Sequence, residues 1–214
     1  MVTKEMNITL TPNRDFARLA GEAQIRNVVS ALESNGIKVL VAETGEEARK
    51  LVLDLVPQGA EVYANVSKSL EVLGLSAEFD KSGRYNAVRP KVLSLDRKTQ
   101  ADEIRKLRTV PDYIIGSVHA ITEVGEVITA SGTGSQISSY AYGAGKVIWV
   151  VGTQKIVSDL SEGLRRINEY SKTLEDARMQ ETFGVNSSLN KTLIITRDIP
   201  GRITLVLVKE NLGF

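Results

Sequence analysis

Tyr113-Ile114-Ile115-Gly116-Ser117-Val118-His119-Ala120-Ile121-Thr122-Glu123-Val124-Gly125-Glu126-Val127-Ile128-Thr129-Ala130-Ser131-Gly132-Thr133-Gly134-Ser135 carries three short β-branched runs and ends in glycines and hydroxyls. Tyr113 to Ile115 reads as a strand. His119 to Glu123 and Glu126 to Ala130 read as two more, joined by a tight turn at Val124-Gly125. A helix is expected from Ser135 toward Gly143 and Gly145, and Lys146 to Val151 then reads as a buried strand.

The same alternation extends in both directions. Ile37 to Val41 and Ala60 to Ala64 read as strands, and Thr44 caps a helix with Ala48, Leu51, Val52 and Leu55 at helical spacing. A short helix is expected from about Ser67 and another from Thr99. A long one is expected from about Ser158, with Leu160, Leu164, Ile167 and Leu174 on one face. The opening helix is expected from Thr11-Pro12, where proline suits the first turn. Its apolar residues fall into two sets on different faces, so it breaks near Gly21 or is covered on two sides. Residues 75–97 read as loop and short pieces broken by Gly83 and Pro90. The chain closes with strands Leu193–Thr196 and Ile203–Val208 joined by a Pro200-Gly201 turn. Strands alternating with helices imply an α/β fold with a mixed, mainly parallel sheet flanked by helices on both faces. Ligands in such folds sit beyond the carboxyl ends of the strands.

The chain has 214 residues, 42% hydrophobic and 25% charged, and no Ser/Gly-rich linker divides it. One domain over residues 1–214 is expected. There is no cysteine and one histidine. Disulfides, thiolate nucleophiles, iron–sulfur ligation and His-rich metal sites are therefore excluded. No cofactor and no metal-ligating residue is singled out, while a magnesium site built of carboxylates and hydroxyls stays open. With 27 basic and 26 acidic residues the net charge is +1, which argues against nucleic acid as a partner. Val2 to Asn7 holds no apolar leader core, and no run reaches the roughly 18 apolar residues of a membrane span, so a cytoplasmic location away from membranes is expected.

Four places can carry chemistry. Asn65-Val66-Ser67-Lys68-Ser69 joins a strand to a helix, where amides, hydroxyls and a lysine favour an anion. The plainer alternative is a helix cap with a solvated Lys68. Ser131-Gly132-Thr133-Gly134-Ser135 has the same setting, with two glycines that let the backbone approach a ligand. It matches neither a Walker loop nor a dinucleotide fingerprint, and the plainer alternative is a tight turn. The hairpin places His119 and Glu123 on one strand face and sets Glu123 and Glu126 beside the turn. Such neighbours can divide acid and base duties, with His119 as proton shuttle. An acidic exposed turn and a packed histidine are the alternatives. Arg84, Arg89 and Arg202 either clamp an anion or tie loops to acidic neighbours.

The segments Asp112–Ile128, Ser131–Ser135 and Lys146–Val157, together with Ala64–Leu75 and Pro200–Val208, resemble the lactate-utilisation (LUD) domain family, over about residues 11–214. The resemblance implies a fold similar to the sugar-phosphate isomerase and CoA-transferase group. It also implies a part in bacterial lactate oxidation to pyruvate beside iron–sulfur oxidoreductase subunits. The hairpin and Gly132-Thr133 segment is more distantly similar to methylthioribose-1-phosphate isomerases. Those enzymes carry an aspartate where this chain has His119, and a catalytic cysteine that it lacks. Three functions stay open: a non-redox accessory protein binding a small anionic metabolite or partner, an isomerase or CoA-transferase-type enzyme using a hairpin glutamate, and a pure interaction module. Self-association into a homo-oligomer also stays open.

Overall fold

The computed structural model describes residues 11–214; the Met1 segment read above lies outside the described residues. A 3-10 turn, Arg14–Ala17, precedes helix α1, Glu22–Ser34. The break near Gly21 is real, because Gly21 sits extended at the α1 N-cap. The first turn at Thr11-Pro12 is therefore not part of that helix. Ile25, Val28 and Leu32 form its buried stripe, the three-to-four spacing of a one-sided helix.

Next come β1 (Lys38–Ala42), α2 (Gly45–Leu55), β2 (Glu61–Ala64) and α3 (Lys68–Val72). Thr44 caps α2 by accepting the Glu47 N–H at 3.2 Å. The stretch 75–97, expected as loop and short pieces, contains α4 (Leu75–Lys81), the two-residue β3 (Asn86–Ala87) and α5 (Val88–Ser94). Pro90 does not break α5. It occupies the third helical position, inside the first turn, where no intrahelical N–H is needed.

Then follow α6 (Ala101–Thr109), β4 (Tyr113–Gly116), β5 (Ala120–Thr122), β6 (Val127–Ser131) and α7 (Ser135–Ser138), the last running into a π turn at Ser139–Gly143. After β7 (Lys146–Gly152) a 3-10 turn, Thr153–Lys155, leads to β8 (Ile156–Val157). Helix α8 (Leu160–Arg166) passes through a second π turn, Ile167–Ser171, into α9 (Lys172–Phe183). The chain ends with β9 (Lys191–Ile195) and β10 (Ile203–Val208).

The strands form two sheets rather than one. Six run parallel in the order β1-β10-β7-β4-β2-β3. The hairpin instead belongs to a second, mixed sheet, β8-β5-β6-β9. The closing strands therefore part company: β10 enters the middle of the parallel sheet, and β9 pairs antiparallel with β6.

Alternation along β7 explains the layering. Val147, Trp149 and Val151 face a core shared with α1 and the small sheet, while Ile148 and Val150 face a core shared with α2 and α4. Buried on both faces, such strands lose the polar alternation of a surface strand. A third cluster, Ala120, Ile128, Ala130, Val157 and Ile167, seats α8 and the second π turn against the small sheet. Among the described residues no helix is long and apolar enough to cross a membrane.

Candidate functional site

The carboxyl ends of β2, β4 and β7 point the same way because the strands are parallel. They release Asn65–Ser69, Ser117–His119 and Thr153–Lys155 at one edge of the sheet. The end of β6 adds Ser131, Gly132 and Thr133. α9 and residues 186–189 form the facing wall. Together they enclose a cavity of about 420 Å³. Its lining includes Asn65, Ser67, Lys68, Ser69, Gly132, Thr133 and His119 from the sequence-derived candidates. The two strand-to-helix junctions thus meet across one hollow, at the place where α/β folds collect ligands.

Gly134 and Ser135 are not among the lining residues. The Gly134 N–H donates to Ser131 Oγ at 2.9 Å, and the Ser135 N–H reaches Thr133 Oγ1 at 3.4 Å. The second junction thus spends these amides on its own hydroxyls. The helices behind the junctions, α3 and α7, have only five and four residues, too short for much of a macrodipole. Ser67 is different. It stands at the α3 N-cap without a side-chain capping bond, so its hydroxyl stays available at the cavity wall.

Glu123 and Glu126 are not among the lining residues. Glu123 accepts the Gln24 side-chain amide at 2.8 Å, and Glu126 accepts the Thr122 hydroxyl at 3.2 Å. Each fastens the hairpin, Glu123 to α1 and Glu126 to Thr122 within the hairpin itself. His119 does reach the cavity, in a packed setting. Its Nδ1 accepts the Ala130 N–H at 3.2 Å and lies 3.3 Å from Thr129 Oγ1. That leaves the ring proton on Nε2. Burial first, and the positive Lys155 and Arg166 second, push its pKa down to about 3, so the ring is neutral at ordinary pH.

The strongest electrostatic feature is carried by residues the sequence reading did not single out. Lys155 is 3% exposed and Arg166 fully buried. Lys155 Nζ donates to Ser117 Oγ at 3.2 Å and to Val118 O at 3.1 Å. Arg166 donates to Gln154 O at 3.3 Å and Ser171 Oγ at 3.0 Å, while its Nη2 has no partner. Among the described residues no carboxylate pairs with either cation. Burial, reinforced by Arg166, lowers the Lys155 pKa well below 10.5. Such placement is costly unless something compensates it. A signal was present in the sequence: Thr153-Gln154-Lys155 interrupts an otherwise apolar run from Val147 to Val157.

Apart from Lys155, the lysines and arginine that line the cavity are neutralised at home. Lys68 pairs with Glu71, and Arg178 with Glu175, and Lys172 with Asp176. Arg84, Arg89 and Arg202 tie structure together. Arg84 and Arg89 pair with Glu78 and Asp80, and Arg202 joins Asp198 to the Tyr140 carbonyl. No cluster of three or more His, Asp or Glu suited to a metal occurs among the described residues.

A DUF162 family protein from Deinococcus radiodurans, solved as a crystal structure, superposes with a TM-score of 0.56 at 14% identity, covering 89% of this chain and 99% of that one. At that identity the likeness speaks for the fold. No curated protein matches the chain in sequence. The sequence model of the LUD domain matches residues 25–208, from the first buried residue of α1 to the last residue of β10. The chain belongs to the LUD domain family.

Proposed function

We propose that this protein serves lactate utilisation as a non-redox component that binds a small anionic metabolite in the cavity between residues 65–69 and 131–133. The family supports a lactate-utilisation role. The observation that carries the binding reading is Lys155, a buried side chain that lines the cavity with no carboxylate partner among the described residues, backed by the fully buried and likewise unpaired Arg166 behind the lining residues His119 and Ser171. An anion beside Lys155 offsets what burial costs, and the Ser67, Thr133 and Ser117 hydroxyls supply directed donors. The partners consistent with this role are iron–sulfur oxidoreductase subunits, since a chain without cysteine carries no cluster of its own.

Thermal shift with lactate, pyruvate, a sugar phosphate and an acyl-CoA tests the reading. A true ligand at a hundred times its dissociation constant adds about 2.7 kcal/mol of stability, or roughly 5–10 °C for a chain of this size. Lys155→Met is expected to remove the response. Native pull-down is expected to recover iron–sulfur subunits. If none of the four compounds shifts the melting temperature, the pocket reading fails and an interaction module takes its place.

A further inference from the structure

We infer that Lys155 Nζ is a nucleophile that forms an imine with the carbonyl carbon of a small 2-oxo acid held in the cavity. This rests on the binding reading above and names its substrate class. The side chain is 3% exposed, yet it lines the cavity. Its amine has only a hydroxyl and a carbonyl as partners, at 3.2 and 3.1 Å, and neither fixes it as an ammonium the way a carboxylate does. The Arg166 guanidinium, held nearby on the Gln154 and His119 carbonyls, keeps further positive charge unwelcome on Nζ. A lysine that is buried, beside another cation and open to a pocket has the setting of an activated amine. Structural lysines at the same wall, Lys68 and Lys172, are ion-paired instead.

The chemistry balances without redox. The Nζ lone pair adds to the carbonyl carbon, the C=O π pair moves to oxygen, and a carbinolamine forms. Loss of that oxygen as water, both of its hydrogens traceable to the amine, leaves the C=N bond. Ser117 Oγ accepts the Nζ hydrogen bond, so it can pass a proton from nitrogen to the departing hydroxyl. Ser69 Oγ, 3.4 Å behind it, extends the relay. The substrate needs a carbonyl for the amine and an anionic group for the cationic pocket, and a 2-oxo acid supplies both on adjacent carbons.

Borohydride reduction of the wild-type protein with pyruvate tests this. The expected result is a stable adduct, mapped by peptide mass, on Lys155 alone. Lactate has no carbonyl and is expected to give none even where it stabilises the protein. Ser117→Ala should slow labelling at least about tenfold, and Lys155→Arg should retain pyruvate stabilisation without labelling. If pyruvate stabilises the wild-type protein but no label appears on Lys155, or label spreads over Lys68 and Lys172, the imine is refuted and the binding reading survives. If pyruvate gives neither stabilisation nor label, the inference falls, and the three remaining compounds decide the binding reading separately.

Discussion

Acidification should weaken this protein through His119, by an amount its surroundings set. The folded ring has a pKa near 3, against 6.5 for a free histidine, because it is buried, faces Lys155 and Arg166, and accepts the Ala130 N–H on Nδ1. Below pH 6.5 the unfolded chain takes up a proton that the folded chain refuses. Its contribution to stability is therefore complete above about pH 6.5 and falls away as the pH drops toward 3. Each pH unit in that window costs at most about 1.4 kcal/mol. Between pH 7 and pH 5 the loss comes to about 2 kcal/mol. His119→Gln removes the titration, so the variant should lose about 2 kcal/mol less than the wild type over the same interval. Carboxylates titrate in both proteins and cancel in the comparison. Urea unfolding at the two pH values, followed by the fluorescence of the single tryptophan, Trp149, reads both losses. That reporter is fully buried against Tyr140. Equal losses in the two proteins would refute this account of His119.

Three further expectations concern the scaffold. Arg202→Met strips Asp198 and the Tyr140 carbonyl of a largely buried partner; a loss of about 3 kcal/mol is expected from urea midpoints, and a change under about 1 kcal/mol would make that pair dispensable. Gly116→Ala drives a methyl group into the Tyr140 hydroxyl, itself held by Ser117 O at 3.3 Å. Overpacking there should cost about 1–3 kcal/mol, and an unchanged midpoint would show that Tyr140 yields freely. Asp176→Asn weakens the carboxylate that holds the Ser187 N–H at 2.8 Å and its hydroxyl at 2.6 Å. Amide exchange at Ser187 should quicken while the β7 and β10 amides stay protected; uniform change across the molecule would mean the wall does not open locally.

The residues say a good deal about this protein before any coordinates. β-branched runs such as Lys146–Val151 identify the buried parallel strands, because burial on both faces leaves no polar alternation. Thr44, Gly21 and Val124-Gly125 mark a cap, a helix start and a hairpin turn, since these depend on backbone geometry within a few residues. The family, too, is written along the chain. What local pattern does not encode is which strands become neighbours. The separation of β9 from β10 into different sheets is decided by long-range pairing. So is the turning of Glu123 toward Gln24. The approach of Arg166 to Lys155 behind the cavity wall has the same origin: they come from a helix and a turn, and their charge is meaningful only against what surrounds it. Periodicity records which side of an element is buried; it holds no record of the partner across the interface, and an unpaired charge is defined by that partner.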